Sequence, residues 1–224
     1  MKTIFRLIVA ALAFASTMAA ADWTAQDEKA CDKSAAGHFK YYVFTLSWSP
    51  EFCRSHPSTA KNEQQCKEKR EFIVHGLWPE CGSGNPSNCK KGGAADTIDK
   101  QRIYAFMPSD FLIQHEWDTH GTCSGLARSA YFDLIGEQFG KLKLPRLAGA
   151  PKADMIESLF INANPGLAAD QIYLSCTESG PKSSTQTLDE VRICLDKDTH
   201  AFVRCEDAKD TCQNLKKVTI TPAR

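Results

Sequence analysis

Apolar and polar positions do not keep a single period along this chain. Residues Lys40 to Ser49, KYYVFTLSWS, and Glu71 to Trp78, EFIVHGLW, are runs rich in aromatic and β-branched residues bounded by Pro50 and Pro79, and both predict buried strands. Three more strand segments, Gln171 to Cys176, Val191 to Leu195 and Ala201 to Cys205, cluster in the last third. Between these two sets the period lengthens. Ser109 is placed to cap a helix through FLIQHEWDTH, with Gly121 as its stop just beyond. Tyr131, Leu134, Ile135, Phe139 and Leu142 recur at helical spacing, and a further helix is predicted from Lys152 to Ile161, ended by Asn164-Pro165-Gly166. Segments 81–93 and 178–187 are loops by composition. Helices grouped centrally with strands on both sides predict an α+β domain.

The first residues stand apart from this pattern. Lys2 and Arg6 precede an apolar run, and Ala19-Ala20-Ala21 follows as a small-residue cleavage site, so residues 1–21 read as a secretory signal peptide and 22–224 as one domain. The apolar stretch from Leu7 to about Ala15 is too short to span a bilayer. Without Lys2 and Arg6, 25 basic residues face 27 acidic ones. A chain that coats nucleic acid through its phosphates carries a basic excess, so any RNA contact here is expected to be local and confined to a cleft. Ten cysteines, all between Cys31 and Cys212, behind a signal peptide predict disulfides. Their spacings are irregular and offer no pair of C-x-x-C knuckles, which argues against structural zinc.

Two segments concentrate candidate chemistry. In FIVHGLWPE, residues 72–80, His75 sits inside a predicted strand, where on its own it fits a satisfied core histidine. Gly76 lets another group approach the backbone closely, and Trp78 and Glu80 are expected on a turn where they meet a ligand. In HEWDTHGTC, residues 115–123, Glu116 and His120 are four apart and share a helix face, so the carboxylate is expected to raise the imidazole's pKa. His115 lies about 140° around the helix from His120 and points elsewhere. His115-Glu116 opens like the H-E-x-x-H zinc-protease motif. That motif needs its second histidine at position 119, where this chain has Thr119, so one zinc does not meet both imidazoles. The reading implies no metal and no cofactor.

Two histidines beside a carboxylate, with no evident serine or cysteine nucleophile, suit a reaction whose nucleophile belongs to the substrate. RNA supplies one in its ribose 2'-hydroxyl. One imidazole removes that proton while the other, protonated, delivers a proton to the departing 5'-oxygen. The pair FIVHGLWPE and HEWDTHGTC resembles the two active-site segments of the ribonuclease T2 family, and FTLSWSPEFC, residues 44–53, resembles that family's first core strand. The resemblance implies a disulfide-stabilised α+β fold with a central antiparallel sheet flanked by helices. It implies a secreted or periplasmic monomer, free of the membrane once the signal is cleaved, that cuts single-stranded RNA with little base specificity and without metal, leaving 2',3'-cyclic phosphate and 5'-hydroxyl ends.

Carried over by position, the resemblance makes His75 the general acid and His120 the general base. Glu116 and His115 then help bind and stabilise the phosphate, and Trp78 and Glu80 contact a base. It also implies a Cys89–Cys123 disulfide bracing the second motif. One departure stands out: the family motif carries lysine immediately before its last histidine, and this chain has Thr119. Loss of a cation there weakens transition-state stabilisation unless another lysine or arginine replaces it in space. The alternative is a ribonuclease-fold protein that binds RNA or a partner without turnover.

Overall fold

Eight residues, YYVFTLSW, form the strand around which the sheet is built. This strand, β1 (Tyr41–Trp48), is buried at seven of its eight positions and pairs antiparallel on both sides. Even-numbered Tyr42, Phe44, Leu46 and Trp48 enter the main core, while Tyr41 and Val43 join a smaller apolar cluster on the opposite face. Strand alternation produces this division, because successive side chains point to opposite faces. The result is the α+β fold expected from the sequence.

The computed structural model describes residues 24–60, 63–82, 84–89, 98–178, 186–206, 208–213 and 216–223. The expected signal peptide lies outside the described residues, as do residues 83, 90–93 and 179–185 of the two predicted loops. In chain order the helices are α1 (Ala25–Asp32), α2 (Ser49–Ser55), α3 (Pro57–Ala60), α4 (Gln64–Lys67), α5 (Lys100–Tyr104), α6 (Asp110–Thr119), α7 (Arg128–Lys141) and α8 (Ala153–Ala163). The remaining strands are β2 (Phe72–Glu80), β3 (Ile172–Glu178), β4 (Gln186–Asp196) and β5 (Val218–Thr219). Sheet order is β2-β1-β4-β3, and β5 runs parallel to β4 at Gln186 and Thr187, beyond the last β1 pair at Ser47 and Glu190.

The central helices follow the sequence pattern closely. Ser109 caps α6 by accepting from the Leu112 amide, and the helix ends at Thr119, with His120 as its C-cap and a 3-10 turn over Gly121–Cys123. A Cβ on Gly121 would overlap the Trp117 ring, so the stop also permits close packing. Helix α7 buries Tyr131, Leu134 and Ile135, and α8 buries Ile156 and Phe160 before Asn164 closes it. Phe160 meets Phe72 edge-on at 5.7 Å, and Phe72 meets Trp48 at 4.8 Å, which ties α8 through β2 to β1.

Three expectations need correction. Ala201 to Cys205 is not a strand: it makes one bridge, Phe202 to Leu195, before Cys205 turns to the Asp170 carbonyl. On that edge β3 already occupies β4 from Gln186 to Ile193, leaving only the short end of β4 around Leu195 for the segment to meet. Strand β2 runs through Pro79 to Glu80 rather than ending in a turn at Trp78, because it lies at the sheet edge, where a missing N–H costs no ladder bond. Strand β4 begins at Gln186, five residues earlier than the apolar run suggested, and so includes Glu190.

All ten cysteines are paired, as Cys31–Cys81, Cys53–Cys66, Cys89–Cys123, Cys176–Cys212 and Cys194–Cys205. The Cys89–Cys123 bond holds the loop after β2 against the turn after α6, where Asn88 N also donates to the Thr119 carbonyl. Replacing Phe160 by Ala in the oxidised protein is expected to cost ~3–5 kcal/mol, the usual range for a buried Phe cavity. Denaturant unfolding measures it, and a loss below ~1 kcal/mol would show that α8 contributes little to the core.

Candidate active site

The register of β1 against β2 breaks once. Thr45 pairs with Gly76 and Leu46 with Val74, which leaves His75 as an extra residue on β2. A β-bulge of this kind re-aims a side chain and shifts all later alternation by one. Here it allows Phe72, Val74 and Leu77 to enter the same core despite the odd spacing between Val74 and Leu77. By the same shift His75 and Trp78, three apart, come together on the face opposite that core, and their rings meet edge-on at 5.2 Å.

Helix α6 brings the second motif to this edge. Its Ile113 and Trp117 anchor it in the core, and Glu116, 1% exposed, turns toward Gly76. A Cβ on Gly76 would overlap Glu116 Oε2 and Trp78 Nε1, so the approach expected of Gly76 is made by the Glu116 carboxyl. Trp78 Nε1 donates to Glu116 Oε2 at 2.7 Å, and Glu116 Oε1 lies 3.5 Å from His75 Nε2. The His120 ring also meets Trp78, with centroids 5.3 Å apart. His75, Trp78, Glu116 and His120 therefore form one cluster.

Glu116 does not do what its spacing from His120 suggested. The helix stops between them, and Glu116 turns to Trp78 and His75 instead. His120 Nδ1 is buried with no hydrogen-bond partner among the described residues. Burial, aided by the charges of His115 and His75, pushes the His120 imidazole down to about 4 rather than up. His75 goes the other way. Burial works against its charged form, but the hydrogen bond and charge of Glu190, with help from Glu116, outweigh it and raise the imidazole above its ordinary value. Glu116, with few compensating partners, is pushed up by burial to about 7. Oppositely displaced neighbours of this kind assign acid and base roles within one site.

Glu190 and Arg192 on β4 complete the cluster, and neither was singled out from the sequence. Glu190 Oε1 accepts from His75 Nδ1 at 2.5 Å, and Glu190 Oε2 accepts from Arg192 Nε at 2.8 Å and Nη2 at 2.5 Å. The Arg192 guanidinium lies 5.1 Å from the Trp78 ring centre and 5.7 Å from that of Tyr173. A cation thus reaches the cluster although Thr119 is not one. A signal was present: two opposite charges two apart inside an apolar strand share a face and need partners when buried.

Two cavities open on either side of the His75–Trp78 contact. One, of about 350 Å³, is lined by His75, His115, His56, Phe52 and Phe111. His115 stacks on Phe111 at 5.7 Å with planes 9° apart, and His56 stacks on Phe52 at 4.8 Å. The other, of about 530 Å³, is lined by Trp78, Glu80, Tyr173 and Arg192. So His115 and Glu80 stand in separate cavities beside the cluster. A larger cavity of about 580 Å³, at Arg54, Lys69 and Thr219, contains none of the candidate residues. Among the described residues there is no group of three or more His, Cys, Asp or Glu side chains arranged to hold a metal ion.

Comparison with known proteins places this geometry in context. The model of the ribonuclease T2 family matches residues 39–205. A ribonuclease of Aeromonas hydrophila is 35% identical over 176 residues, covering 78% of this chain and 80% of that protein. The self-incompatibility associated ribonuclease of Nicotiana alata is 20% identical with a TM-score of 0.62, covering 81% of this chain and 98% of its own. A variant of bitter gourd ribonuclease MC1, solved in complex with 5'-UMP, is 21% identical with a TM-score of 0.64, covering 79% of this chain and 96% of its own. These solved structures share the fold.

Gly76→Ala is expected to fold but to lose ~1–3 kcal/mol, the usual cost of forcing a methyl group into packed surroundings. The same change displaces Glu116 from Trp78, so the Trp78 indole N–H resonance should move. Unchanged stability and an unmoved indole resonance would contradict the close approach described.

Proposed function

The chain belongs to the ribonuclease T2 family and is an endoribonuclease of that type, and we propose that it cleaves single-stranded RNA by transesterification, with His120 as general base and His75 as general acid. The observation that carries this reading is the pair of imidazoles that both contact Trp78, one favoured in its neutral form by burial and the other shifted toward its protonated form by carboxylates. His120 takes the 2'-hydroxyl proton, O2' bonds to phosphorus, and the bond from phosphorus to O5' breaks as His75 Nε2 gives its proton to the leaving oxygen. A 2',3'-cyclic phosphate and a 5'-hydroxyl result. All ten cysteines are in disulfides, which leaves no thiol nucleophile and fits a nucleophile supplied by the substrate.

Negative charge grows on the phosphate in the transition state, so an ionised Glu116 would oppose it. Raised to about 7, Glu116 holds a proton over much of the acidic range and donates it as a hydrogen bond to a phosphate oxygen. His115 supports the phosphate from the adjoining cavity. With His75 and Trp78 between the two cavities, a base fits on each side of the scissile phosphate, one beside the Phe111–His115 and Phe52–His56 stacks and one at Trp78, Glu80, Tyr173 and Arg192. Stacking platforms accept every base, in keeping with little base specificity. The nucleotide in the ribonuclease MC1 complex supports an RNA ligand for this fold.

The enzyme acts without metal, as a monomer, in an oxidising compartment outside the cytoplasm, after removal of residues 1–21 from a single catalytic domain over 22–224. Five disulfides support that compartment. No helix among the described residues is long and apolar enough to cross a membrane.

Cleavage of a short RNA and its 2'-deoxy counterpart in EDTA, by the native protein and by His120→Ala, tests the mechanism. Only the RNA should be cut, with a cyclic phosphate end, and the variant should lose about 10²–10⁴-fold in rate. Cleavage of the deoxy strand, or loss of activity in EDTA, would refute it. The pH profile of kcat/KM should rise through about 4 as His120 becomes neutral. It should fall above the ordinary imidazole value, as the raised His75 loses its proton and as Glu116 ionises through about 7. A profile flat from acid to neutral pH excludes paired histidine catalysis.

A further inference from the structure

The proton transfers above leave two charged side chains of β4 without a task. Glu190 is 5% exposed, yet both its oxygens are engaged, one on His75 Nδ1 and the other on two nitrogens of Arg192. The Arg192 guanidinium is in turn packed over Trp78 and Tyr173, so the carboxylate is gripped on both sides. We infer that Glu190 is the positioning residue of the general acid: it takes Nδ1, so that Nε2 carries the transferable proton toward the substrate, and Arg192 holds the carboxylate in that aim. The inference rests on the reading of His75 as the acid.

Geometry separates Glu190 from the other groups around His75. Glu116 on α6 stands 3.5 Å from Nε2, on the side where the reaction occurs. Asp189 and Arg192 on β4 and His120 beyond α6 interact with His75 through charge. His56, Glu63 and His115 line the cavity beside it. Glu190 alone of these makes a short contact to Nδ1, from the strand two places away in the sheet.

The two carboxyls also differ in charge. Burial raises Glu116, whereas for Glu190 the hydrogen bond and charge of His75 and the charge of Arg192 outweigh burial and keep it ionised. An ionised Glu190 remains opposite the imidazolium while Glu116 gains or loses its proton. The Nδ1 proton stays with the His75–Glu190 pair through turnover, and the Nε2 proton is the one delivered to O5'. A buried carboxylate that orients an imidazole and stabilises its charged form acts this way in the serine protease triad.

Glu190→Gln in the full oxidised chain tests this. His75 should titrate lower by NMR, because the charge that offsets its burial is gone. The descending limb of kcat/KM should move down with it, and kcat at pH 7 should fall about tenfold or more while KM stays within about twofold. A carboxylate with only a structural role would lower the melting temperature and leave both titrations in place, and that result in a folded variant overturns the inference. If Glu190→Gln does not fold, Glu190→Asp keeps the charge and draws it back by one methylene. It should shift the His75 titration the same way by less, and an unmoved titration there overturns the inference equally. A His75 titration that falls while the activity limb stays would instead remove His75 from the acid role, and the inference with it.

Discussion

One extra residue in β2 is the constraint on which the site depends. Without the bulge at His75, strict alternation would carry either Leu77 or the pair Phe72 and Val74 out of the core. With it, the apolar residues stay inside, and His75 and Trp78 come to the same face. A local break in the ladder is thus held in place by core burial, each large apolar side chain contributing roughly 1.5–3 kcal/mol. The Val74 amide, on the outer edge of the same strand, donates to the Phe106 carbonyl at 2.8 Å, so the edge next to the bulge is covered as well. The site's geometry is therefore a consequence of the core's preference, and its rigidity comes from the same source.

Desolvation then sorts the titratable groups. Every member of the cluster is partly or wholly buried, and burial disfavours charge on each. What differs is compensation. His120 has none at Nδ1 and becomes neutral. His75 has Glu190 in hydrogen-bond contact and is shifted toward its charged form. Glu116 receives one indole hydrogen bond, too little to keep it ionised, whereas Glu190 receives an imidazole and a forked guanidinium. Two carboxyls within one site thus acquire opposite protonation preferences from their neighbours alone.

Much of this was legible in the chain and some was not. The helix capped by Ser109, its stop before Gly121, the apolar stripe of α7 and the buried β1 all follow from periodicity and capping, which are local. Gly76 as a point of close approach was legible because only glycine permits it, but the group that approaches was not, since Glu116 is distant in sequence. His120 was misjudged because a four-residue spacing implies a shared face only while the helix lasts, and here it ends between the two. Glu190 and Arg192 were missed because the apolar count began β4 at Val191 and because their importance depends on register with β1. Register is a long-range property, and one extra residue on either strand alters it.

The arrangement also bears on how a chain with no basic excess meets a polyanionic substrate. Three acidic residues, Glu116, Asp189 and Glu190, crowd His75 with one nearby arginine, which taken at face value would repel a phosphate. Burial raises Glu116 and Asp189 toward their neutral forms, and Glu190 spends its charge on His75 and Arg192. On the proposed mechanism, the field that a phosphate meets is then that of a protonated His75 whose counter-charge lies behind it, on the far ring nitrogen. Electrostatic stabilisation works best when it is fixed in advance and shielded from water. A cation placed by a buried carboxylate meets both conditions, without the overall basic excess that would bind RNA indiscriminately.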